Sequence, residues 1–323
     1  MNIIRSINDP ALPMTGTAIA LGVFDGLHMG HRSVLDAVLA DARESGRTPC
    51  VMAFALSKPP PRYKQGAVQL VAPGILKKQL CHMGFETVFA PNFDEIRQQT
   101  PEQFVGGVLA QRMGARFVSC GYNFSFGRGG VGRAADLERL CAAQGIACTV
   151  VPAVGLDGGP VSSTRIRQCL SAGEIPQANA LLGWPFTIDF EVVCGNRIGR
   201  TLGFPTINQV FPPYFIIPRH GVYATMVRLD DKAYSGVTNV GVKPTVGDYK
   251  PLAETYIHGF SGDLYGRRVE VAFLEFIRPE RKFGSLEELR ANILRDARRA
   301  GKIVDAYMQS HGNQKNKEKE NRS

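Results

Sequence analysis

The first half of the chain alternates between two kinds of apolar pattern, and this alternation limits its fold more than any other feature. Short apolar runs bounded by turn residues indicate buried strands. Between these runs, apolar residues recur at the spacing of one helix face, as in Val34, Leu35 and Val38. Strands that alternate with helices are typical of a parallel sheet covered on both faces. The sequence therefore predicts an α/β domain with strands at residues 18–21, 49–54, 87–89, 117–120 and 146–151.

Beyond Ala178 the pattern changes to closely spaced strands. Their predicted positions are residues 188–193, 221–229, 233–240, 254–260 and 268–276. Short strands at this spacing are typical of a small antiparallel β-barrel. The fold class is therefore α/β followed by β.

One helix is expected to close the barrel, with Ser285 as its N-cap and Glu288 in the capping-box position. Its predicted apolar face consists of Leu286, Leu289, Ile293 and Ala297. After this helix, residues 312–323 contain no apolar side chain and are expected to form a disordered basic tail. The expected domains are therefore residues 1–183 and 184–311.

The composition is that of an ordinary globular protein, with 323 residues of which 44% are hydrophobic and 21% charged. No apolar run is long enough to span a bilayer, and the first residues do not form a secretory signal. Seven cysteines without a Cys-x-x-Cys pair fit a reduced, cytoplasmic protein. We therefore expect a cytoplasmic protein that does not act on membranes.

The net charge of +9 fits partners that carry phosphate, which are either nucleic acids or small molecules. The sequence contains no stripe of alternating aromatic and basic residues of the kind that single-strand binders use. We therefore expect small-molecule phosphates rather than nucleic acid. The sequence carries no signal for an oligomeric state.

A glycine- and histidine-rich turn, residues 22–31, joins the first strand of the sheet to the first long helix. Ligands of open α/β sheets bind at the carboxyl ends of strands, and a helix start offers free N–H groups to an anion. Gly30 separates His28 from His31 without adding bulk. The turn therefore predicts a phosphate site. A zinc site and a pair of merely exposed histidines are the alternatives, and no third metal ligand lies nearby in sequence.

Two further polar clusters follow strands of the N-terminal half. Residues 121–128 contain Asn123 and Arg128 among aromatic side chains, and the alternative to a site is an aromatic plug in a loop. Residues 161–167 open a helix with three hydroxyl side chains and a nearby arginine, which can together bind a phosphate. A plain helix N-cap is the alternative there. The residues concerned are Ser162, Ser163, Thr164 and Arg167.

The barrel half carries its own candidate site. Residues 195–203 are rich in glycine and arginine and suit a flap over phosphates. Thr206 and Asn208 lie two apart on an extended segment, so their side chains share one face and offer oxygen ligands to Mg²⁺. A polar turn follows at residues 239–245, and Glu254 is a carboxylate that can take a proton from a substrate hydroxyl.

Taken together, six motifs resemble those of the bacterial bifunctional riboflavin kinase/FAD synthetases, whose adenylyltransferase activity acts on FMN. Three motifs lie in the N-terminal half: Phe24-Asp25-Gly26-x-His28-x-Gly30-His31, Gly121-x-Asn123-Phe124-x-Phe126-Gly127 and Ser162-Ser163-Thr164-x-Ile166-Arg167. The others are Gly199-Arg200-x-Leu202-Gly203-Phe204-Pro205-Thr206-x-Asn208, Asn239-x-Gly241-x-x-Pro244-Thr245 and Glu254-Thr255. They occur in the family's order and cover the chain up to the tail.

The resemblance implies a Rossmann-like nucleotidyltransferase domain that adenylylates FMN to FAD, followed by a β-barrel domain that phosphorylates riboflavin. Its implied ligands are ATP, riboflavin, FMN, FAD and Mg²⁺. The implied catalytic residues are Glu254, His28, His31 and Arg167, and the implied Mg²⁺ ligands are Thr206 and Asn208. The implied ATP-binding residues are Gly22, Phe24, Asp25, Gly30, Asn123, Ser162, Ser163, Thr164, Gly199, Arg200, Gly203 and Thr206. The implied flavin-binding residues are Asn239, Gly241, Pro244 and Thr245.

The chain departs from the family after its second strand. The family usually has Phe-Glu-Pro-His-Pro there, whereas this chain has Phe54-Ala55-Leu56-Ser57-Lys58-Pro59 and so lacks the acid and the histidine. This departure leaves open a second interpretation, a riboflavin kinase whose N-terminal domain binds nucleotide without catalysing adenylylation.

Overall fold

The computed structural model describes residues 1–12, 14–56, 68–195, 203–230, 232–245 and 248–320. The chain divides into two compact units, Met1–Ser163 and Thr164–Ser323. The sequence led us to expect the boundary at residue 183, but the observed division falls earlier, after Ser163. Two helices before residue 183, α6 (Ser163–Ala172) and α7 (Ile175–Leu182), therefore belong to the second unit, apart from Ser163 itself. The reason is packing, because Asn179 on α7 donates to the carbonyl of Phe273 and accepts from the N–H of Phe186.

The N-terminal unit contains a six-stranded parallel sheet, as the alternating pattern predicted. In order across the sheet, the strands are β1 (Asn2–Ile4), β4 (Thr87–Phe89), β3 (Thr48–Ala53), β2 (Thr17–Gly22), β5 (Ala115–Gly121) and β8 (Ala147–Val151). The short antiparallel pairs β6 (Ser125–Phe126) with β7 (Gly132–Arg133), and β9 (Gly155–Leu156) with β10 (Gly159–Pro160), form separate ladders.

The helices of this unit are α1 (Met29–Ser45), α2 (Pro73–Met83), α3 (Phe93–Ile96), α4 (Pro101–Gln103) and α5 (Ala134–Ala143). The predicted apolar face of α1, with Val34, Leu35 and Val38, is buried. A capping box begins α4, because Thr100 accepts from the N–H of Gln103 and Gln103 accepts from the N–H of Thr100. Beyond α4 the chain winds as a π-helix, Phe104–Arg112, in which the N–H of Met113 reaches the carbonyl of Val108.

The second unit is built on an antiparallel sheet that one strand segment closes. Across the sheet the order is β11 (Thr187–Ile188), β17 (Glu270–Arg278), β14 (Gly221–Leu229), β15 (Lys232–Thr245), β16 (Asp248–Ile257), β13 (Thr206–Val210) and β12 (Val192–Val193). Because β11 pairs with β17 and β12 pairs with β13, the single segment from 187 to 193 joins both edges. Glu191 bridges Arg268 between them, so the predicted antiparallel barrel is confirmed.

A long helix, α8 (Leu286–Glu320), packs against β14, β15 and β17. The predicted capping is confirmed, because the N–H of Glu288 donates to Oγ of Ser285. The helix continues through most of residues 312–323, where composition predicted disorder. That expectation rested on the lack of apolar residues, whereas the Lys, Gln and Glu of this segment are good helix formers.

The buried face of α8 differs from the predicted one. Leu286 is 60% exposed, and the residues buried at helical spacing are Asn292, Asp296, Ala300 and Val304. Asp296 is drawn inward because Arg278 on β17 donates to its Oδ2 from Nε at 3.0 Å and from Nη2 at 2.8 Å. Of the predicted face, Leu289, Ile293 and Ala297 are half-buried, so apolar spacing placed the face next to the one that is fully buried.

Candidate active sites

The predicted phosphate turn lies at the carboxyl end of β2, next to the end of β5, which pairs with β2 in parallel. Two of its non-glycine residues have positive φ, Phe24 at 57° and Leu27 at 46°. Such backbone is costly for residues with a Cβ, and it persists only where the surroundings hold it. Here both side chains are fully buried, at 1% and 0% exposure, so the core anchors the strained turn.

His28 and His31 form one unit at the start of α1. Their rings stack at 3.7 Å between centroids with an interplanar angle of 11°. His28 is the N-cap of the helix, because its Nδ1 accepts from the N–H of His31 at 3.3 Å. A Cβ on Gly30 would lie 3.4 Å from the His28 ring, in ordinary van der Waals contact with it. The sequence predicted that both histidines belong to one phosphate site, and the structure brings their rings together, while the contact with phosphate stays a prediction.

The protonation of His31 follows from its surroundings. Burial, and then the neighbouring His28, hold the pKa of His31 well below the ordinary 6.5, so its imidazole is neutral at neutral pH. Its Nδ1 is buried and has no hydrogen-bond partner among the described residues. The rings of Phe24 and His31 pack in a T-shaped arrangement, with 5.3 Å between their centroids. A phosphate beside these rings would favour the charged imidazole and raise its pKa.

Asp25 makes hydrogen bonds to two segments that are distant in sequence. Its carboxylate Oδ1 accepts from the N–H of Leu70 at 2.7 Å and of Val71 at 3.3 Å. Its carbonyl accepts from the hydroxyl of Ser163 at 3.0 Å. Asp25 is only 2% exposed. Its hydrogen bonds connect the histidine turn to Ser163 and to residues 70–71, which follow the atypical stretch. The structure thus gives Asp25 a positioning contact, which the sequence did not predict.

Replacing Asp25 by Ala is expected to destabilise the N-terminal unit, because the buried N–H groups of Leu70 and Val71 would lose their acceptor. Each buried donor left unpaired costs about 1–3 kcal/mol. Asp25→Asn is the matched control, since it keeps a side-chain oxygen as acceptor. Urea unfolding of the two variants measures the difference. Equal stability of Asp25→Ala and the unchanged protein would contradict this role.

The other predicted residues of the N-terminal site have different surroundings. Phe24 is buried and its ring contacts the ring of His31. A Cβ on Gly22 would lie 3.0 Å from the Phe24 ring. Asn123 is exposed in the turn after β5. Ser162 precedes α6, on which Thr164 and Arg167 lie. Their contact with phosphate stays a prediction.

In the barrel, the predicted base lies in a row of polar residues across three strands. Glu254 on β16 is directly opposite Asn208 on β13 and Asn239 on β15. The next row belongs to the buried face, where the hydroxyls of Thr225, Thr238 and Thr255 form a chain with oxygen separations of 2.8 and 2.9 Å. Glu254 therefore lies on the opposite face of the strand, and it is only half-buried.

A cleft of about 500 Å³ adjoins this row. Thr206 and Asn208 line it together, so the two predicted magnesium ligands face the same space. A Cβ on Gly195 would lie 2.4 Å from Nδ2 of Asn208, so any other residue at this position would displace that side chain. Hydroxyl and amide oxygens are ligands that Mg²⁺ accepts in combination with waters and substrate phosphates. The residues present therefore fit this ion.

Sequence reasoning missed the opposite wall of the cleft. Asp263 and Tyr265 line it, and the carboxylate of Asp263 accepts from the N–H of Tyr265 at 2.9 Å. The run Ser261-Gly262-Asp263 has the composition of an ordinary turn, so local pattern gave no sign of a ligand. Only the folding of the barrel brings this turn opposite β13.

The remaining predicted residues of the barrel are described in part. Gly199 and Arg200 lie outside the described residues. Gly203 is exposed with a φ of +82°, a conformation that favours glycine. Pro244 and Thr245 end β15, and only their backbone is described. Their contacts with flavin or ATP stay predictions.

No cluster of three or more His, Cys, Asp or Glu that could hold a metal ion occurs among the described residues. All seven cysteines are free thiols. Within the part of the chain that the structure describes, no helix is long and apolar enough to cross a membrane.

Comparison with known proteins covers both units. The family model described as FAD synthetase matches residues 12–165, and the one described as riboflavin kinase matches residues 182–304. A solved structure from Streptococcus pneumoniae, described as a macrolide-efflux protein, is 28% identical with a TM-score of 0.79. The match covers 91% of this chain and 96% of that chain.

Curated relatives share one description, bifunctional riboflavin kinase/FMN adenylyltransferase. The protein from Escherichia coli strain K12 is 33% identical over 307 residues, which cover 92% of this chain and 96% of its own length. The protein from Pseudomonas fluorescens is 34% identical over 301 residues with the same coverage. The chain therefore belongs to the family of bifunctional riboflavin kinases/FMN adenylyltransferases.

Proposed function

We propose that this protein makes FMN from riboflavin and ATP in its barrel, and then makes FAD and pyrophosphate from FMN and a second ATP in its N-terminal unit. The observation that carries the proposal is that both halves match, in order, the two enzymatic families joined in the curated relatives. The free thiols of all seven cysteines support a reducing cytoplasm as the place of action.

For the kinase step, Glu254 takes the proton from the terminal ribityl hydroxyl of riboflavin. The hydroxyl oxygen then attacks the γ-phosphorus of ATP, and ADP leaves. Phosphoryl transfer depends mainly on positioning and charge stabilisation, so a base opposite Asn208 and a cleft for the nucleotide form a sufficient set. Thr206 and Asn208 would hold Mg²⁺, which, when bound, neutralises charge on the phosphates.

For the adenylylation step, a phosphate oxygen of FMN attacks the α-phosphorus of ATP, and pyrophosphate leaves. A phosphate is already a competent nucleophile, so this step needs no general base. The stacked His28 and His31 would stabilise the charge that builds on the ATP phosphates. For Arg167, Ser162 and Thr164, the role of phosphate donors rests on the resemblance of their motif to the family's.

The second candidate is a riboflavin kinase with a regulatory N-terminal unit. The atypical stretch after Phe54 favours it, although residues 57–67 lie outside the described part. The stacked histidines and the Asp25 contacts favour the bifunctional enzyme. The efflux description of the pneumococcal structure agrees with neither the family models nor the curated relatives, and the proposal follows the latter two.

One experiment separates these candidates. The full-length protein is incubated with riboflavin and Mg-ATP, and the flavins are separated by chromatography. FMN followed by FAD is the result expected of the bifunctional enzyme. FMN without FAD would favour the regulatory unit, and the absence of both products would contradict the proposal.

Thr206→Ala and Asn208→Ala are each expected to raise the Mg²⁺ concentration at which the kinase reaches half its maximal rate, because each removes an oxygen ligand. Added Mg²⁺ should partly restore the Thr206 variant. Thr206→Ser is the matched control, since it keeps the hydroxyl. The measurement is FMN formation against Mg²⁺ concentration at fixed ATP. An unchanged Mg²⁺ dependence in both alanine variants would exclude these ligands.

A further inference from the structure

A second carboxylate approaches the polar row of the barrel from outside the predicted motifs. Glu280 lies just beyond the end of β17, and its Oε1 accepts from Nδ2 of Asn239 at 2.9 Å. Asn239 is directly opposite Glu254 on the neighbouring strand. The polar row therefore runs from Asn208 through Glu254 and Asn239 to Glu280. The proposed kinase mechanism does not use Glu280.

The carboxylate of Glu280 occupies the space that a side chain at residue 241 would fill. A Cβ at this position would lie 2.3 Å from Oε1 of Glu280 and 2.9 Å from its carboxyl carbon. The backbone of Gly241 does not have a positive φ, so its conformation is open to any residue. A side chain at residue 241 would therefore have to displace the Glu280 carboxylate, although the backbone itself would accept it.

The segment that carries Glu280 is fixed on both sides. Arg278 pairs with the buried Asp296 on α8, at 2.8 Å from Nη2 to Oδ2. Arg281 donates to Glu288 on the same helix, at 3.5 Å. Both guanidinium groups lie over the ring of Phe283, at 5.5 and 4.8 Å from its centroid. The position of Glu280 is therefore set by flanking residues that are attached to α8.

The hydrogen bond decides which end of the Asn239 amide is used. Because Nδ2 donates to Glu280, the amide oxygen is the atom that remains to accept from a ligand. An acceptor beside a general base suits a substrate with several neighbouring hydroxyls, one of which reacts while another is held. Riboflavin, with its ribityl chain, is a substrate of this chemical class.

We propose that Glu280 is a positioning residue for riboflavin. It holds the Asn239 amide so that the amide oxygen binds a ribityl hydroxyl beside Glu254. This inference rests on the proposed kinase function of the barrel. As a surface contact alone, an exposed pair of this kind would contribute little to stability. Its loss should therefore change riboflavin binding far more than folding.

The test uses four variants of the full-length protein: Glu280→Ala, Glu280→Gln, Gly241→Ala and the Gly241→Ala/Glu280→Ala double variant. Glu280→Ala is expected to raise KM for riboflavin about tenfold, the effect of one weakened substrate hydrogen bond, with KM for Mg-ATP within about twofold of the unchanged protein. Glu280→Gln should recover most of the affinity, since its amide oxygen can still accept from Asn239.

Gly241→Ala should weaken riboflavin binding about as much as Glu280→Ala, because its Cβ would displace the carboxylate. In the double variant the clash is absent, so the two effects should not add. Riboflavin fluorescence titrated in the presence of Mg-ADP gives the binding constant independently of turnover. FAD formation from supplied FMN reports the integrity of the N-terminal unit in every variant.

An unchanged riboflavin KM in Glu280→Ala would overturn the proposal, as would additive effects in the double variant. Equal increases of KM for riboflavin and for Mg-ATP, with a lowered unfolding temperature, would assign Glu280 a structural role and also overturn it. If the unchanged protein binds riboflavin but forms no FMN, the proposed kinase function fails, while the titration still decides the role of Glu280.

Discussion

Glu254→Gln is expected to slow FMN formation by about two to four orders of magnitude, because it keeps the size of the side chain and removes the base. The loss should appear mainly in kcat. Substrate binding should change little, since the cleft and the opposing Asn208 and Asn239 remain in place. The measurement is FMN formation from riboflavin and saturating Mg-ATP under steady-state conditions.

Glu275→Gln is the matched control for this variant. Glu275 lies on β17 of the same sheet and pairs with Arg299 on α8, with Nη2 to Oε1 at 2.6 Å, in an exposed position. It should leave FMN formation unchanged. FAD formation from supplied FMN should be unaffected in both variants, because it belongs to the other unit. A kinase rate of Glu254→Gln within a few-fold of the unchanged protein would mean that another group removes the proton.

His28→Ala and His31→Ala are each expected to lower FAD formation from FMN by about a hundred- to a thousand-fold. Loss of one preorganised group that stabilises transition-state charge has an effect of this size. The two effects should not add fully, since the stacked rings act as one unit and His28 also caps α1. Pyrophosphate release from FMN and Mg-ATP, without riboflavin, measures this step alone in the full-length protein.

His82→Ala is the matched control, because His82 lies exposed in the last turn of α2. It should leave both activities unchanged. FMN formation from riboflavin should survive in the His28 and His31 variants, because it belongs to the other unit. A circular dichroism spectrum that matches the unchanged protein shows that the N-terminal unit of each variant remains folded. Pyrophosphate release at the unchanged rate in both variants would remove the histidines from the mechanism. Release no faster than a blank in the unchanged protein would favour the regulatory unit.

Local sequence patterns predicted the secondary structure of this chain well. The strand at residues 221–229 has the predicted bounds. Ser285 caps α8 as expected, while the carboxylate of Glu288 accepts from the N–H of Gly284 and not from that of Ser285. These features depend on neighbours within a few residues, where the periods of helix and strand and the needs of free N–H groups act directly. The candidate site residues were found because their motifs are also local.

The sequence by itself therefore determined the order of elements, the two fold classes and the motifs of a bifunctional flavin enzyme. Only the tertiary structure decided how the barrel closes through residues 187–193, which stripe of α8 is buried and what Asp25 and Glu280 contact. The Asp25 carboxylate reaches a backbone N–H 45 residues away, and Glu280 reaches an amide 41 residues away. Such partners depend on strand pairing and on the rotation of packed helices, which no local period encodes.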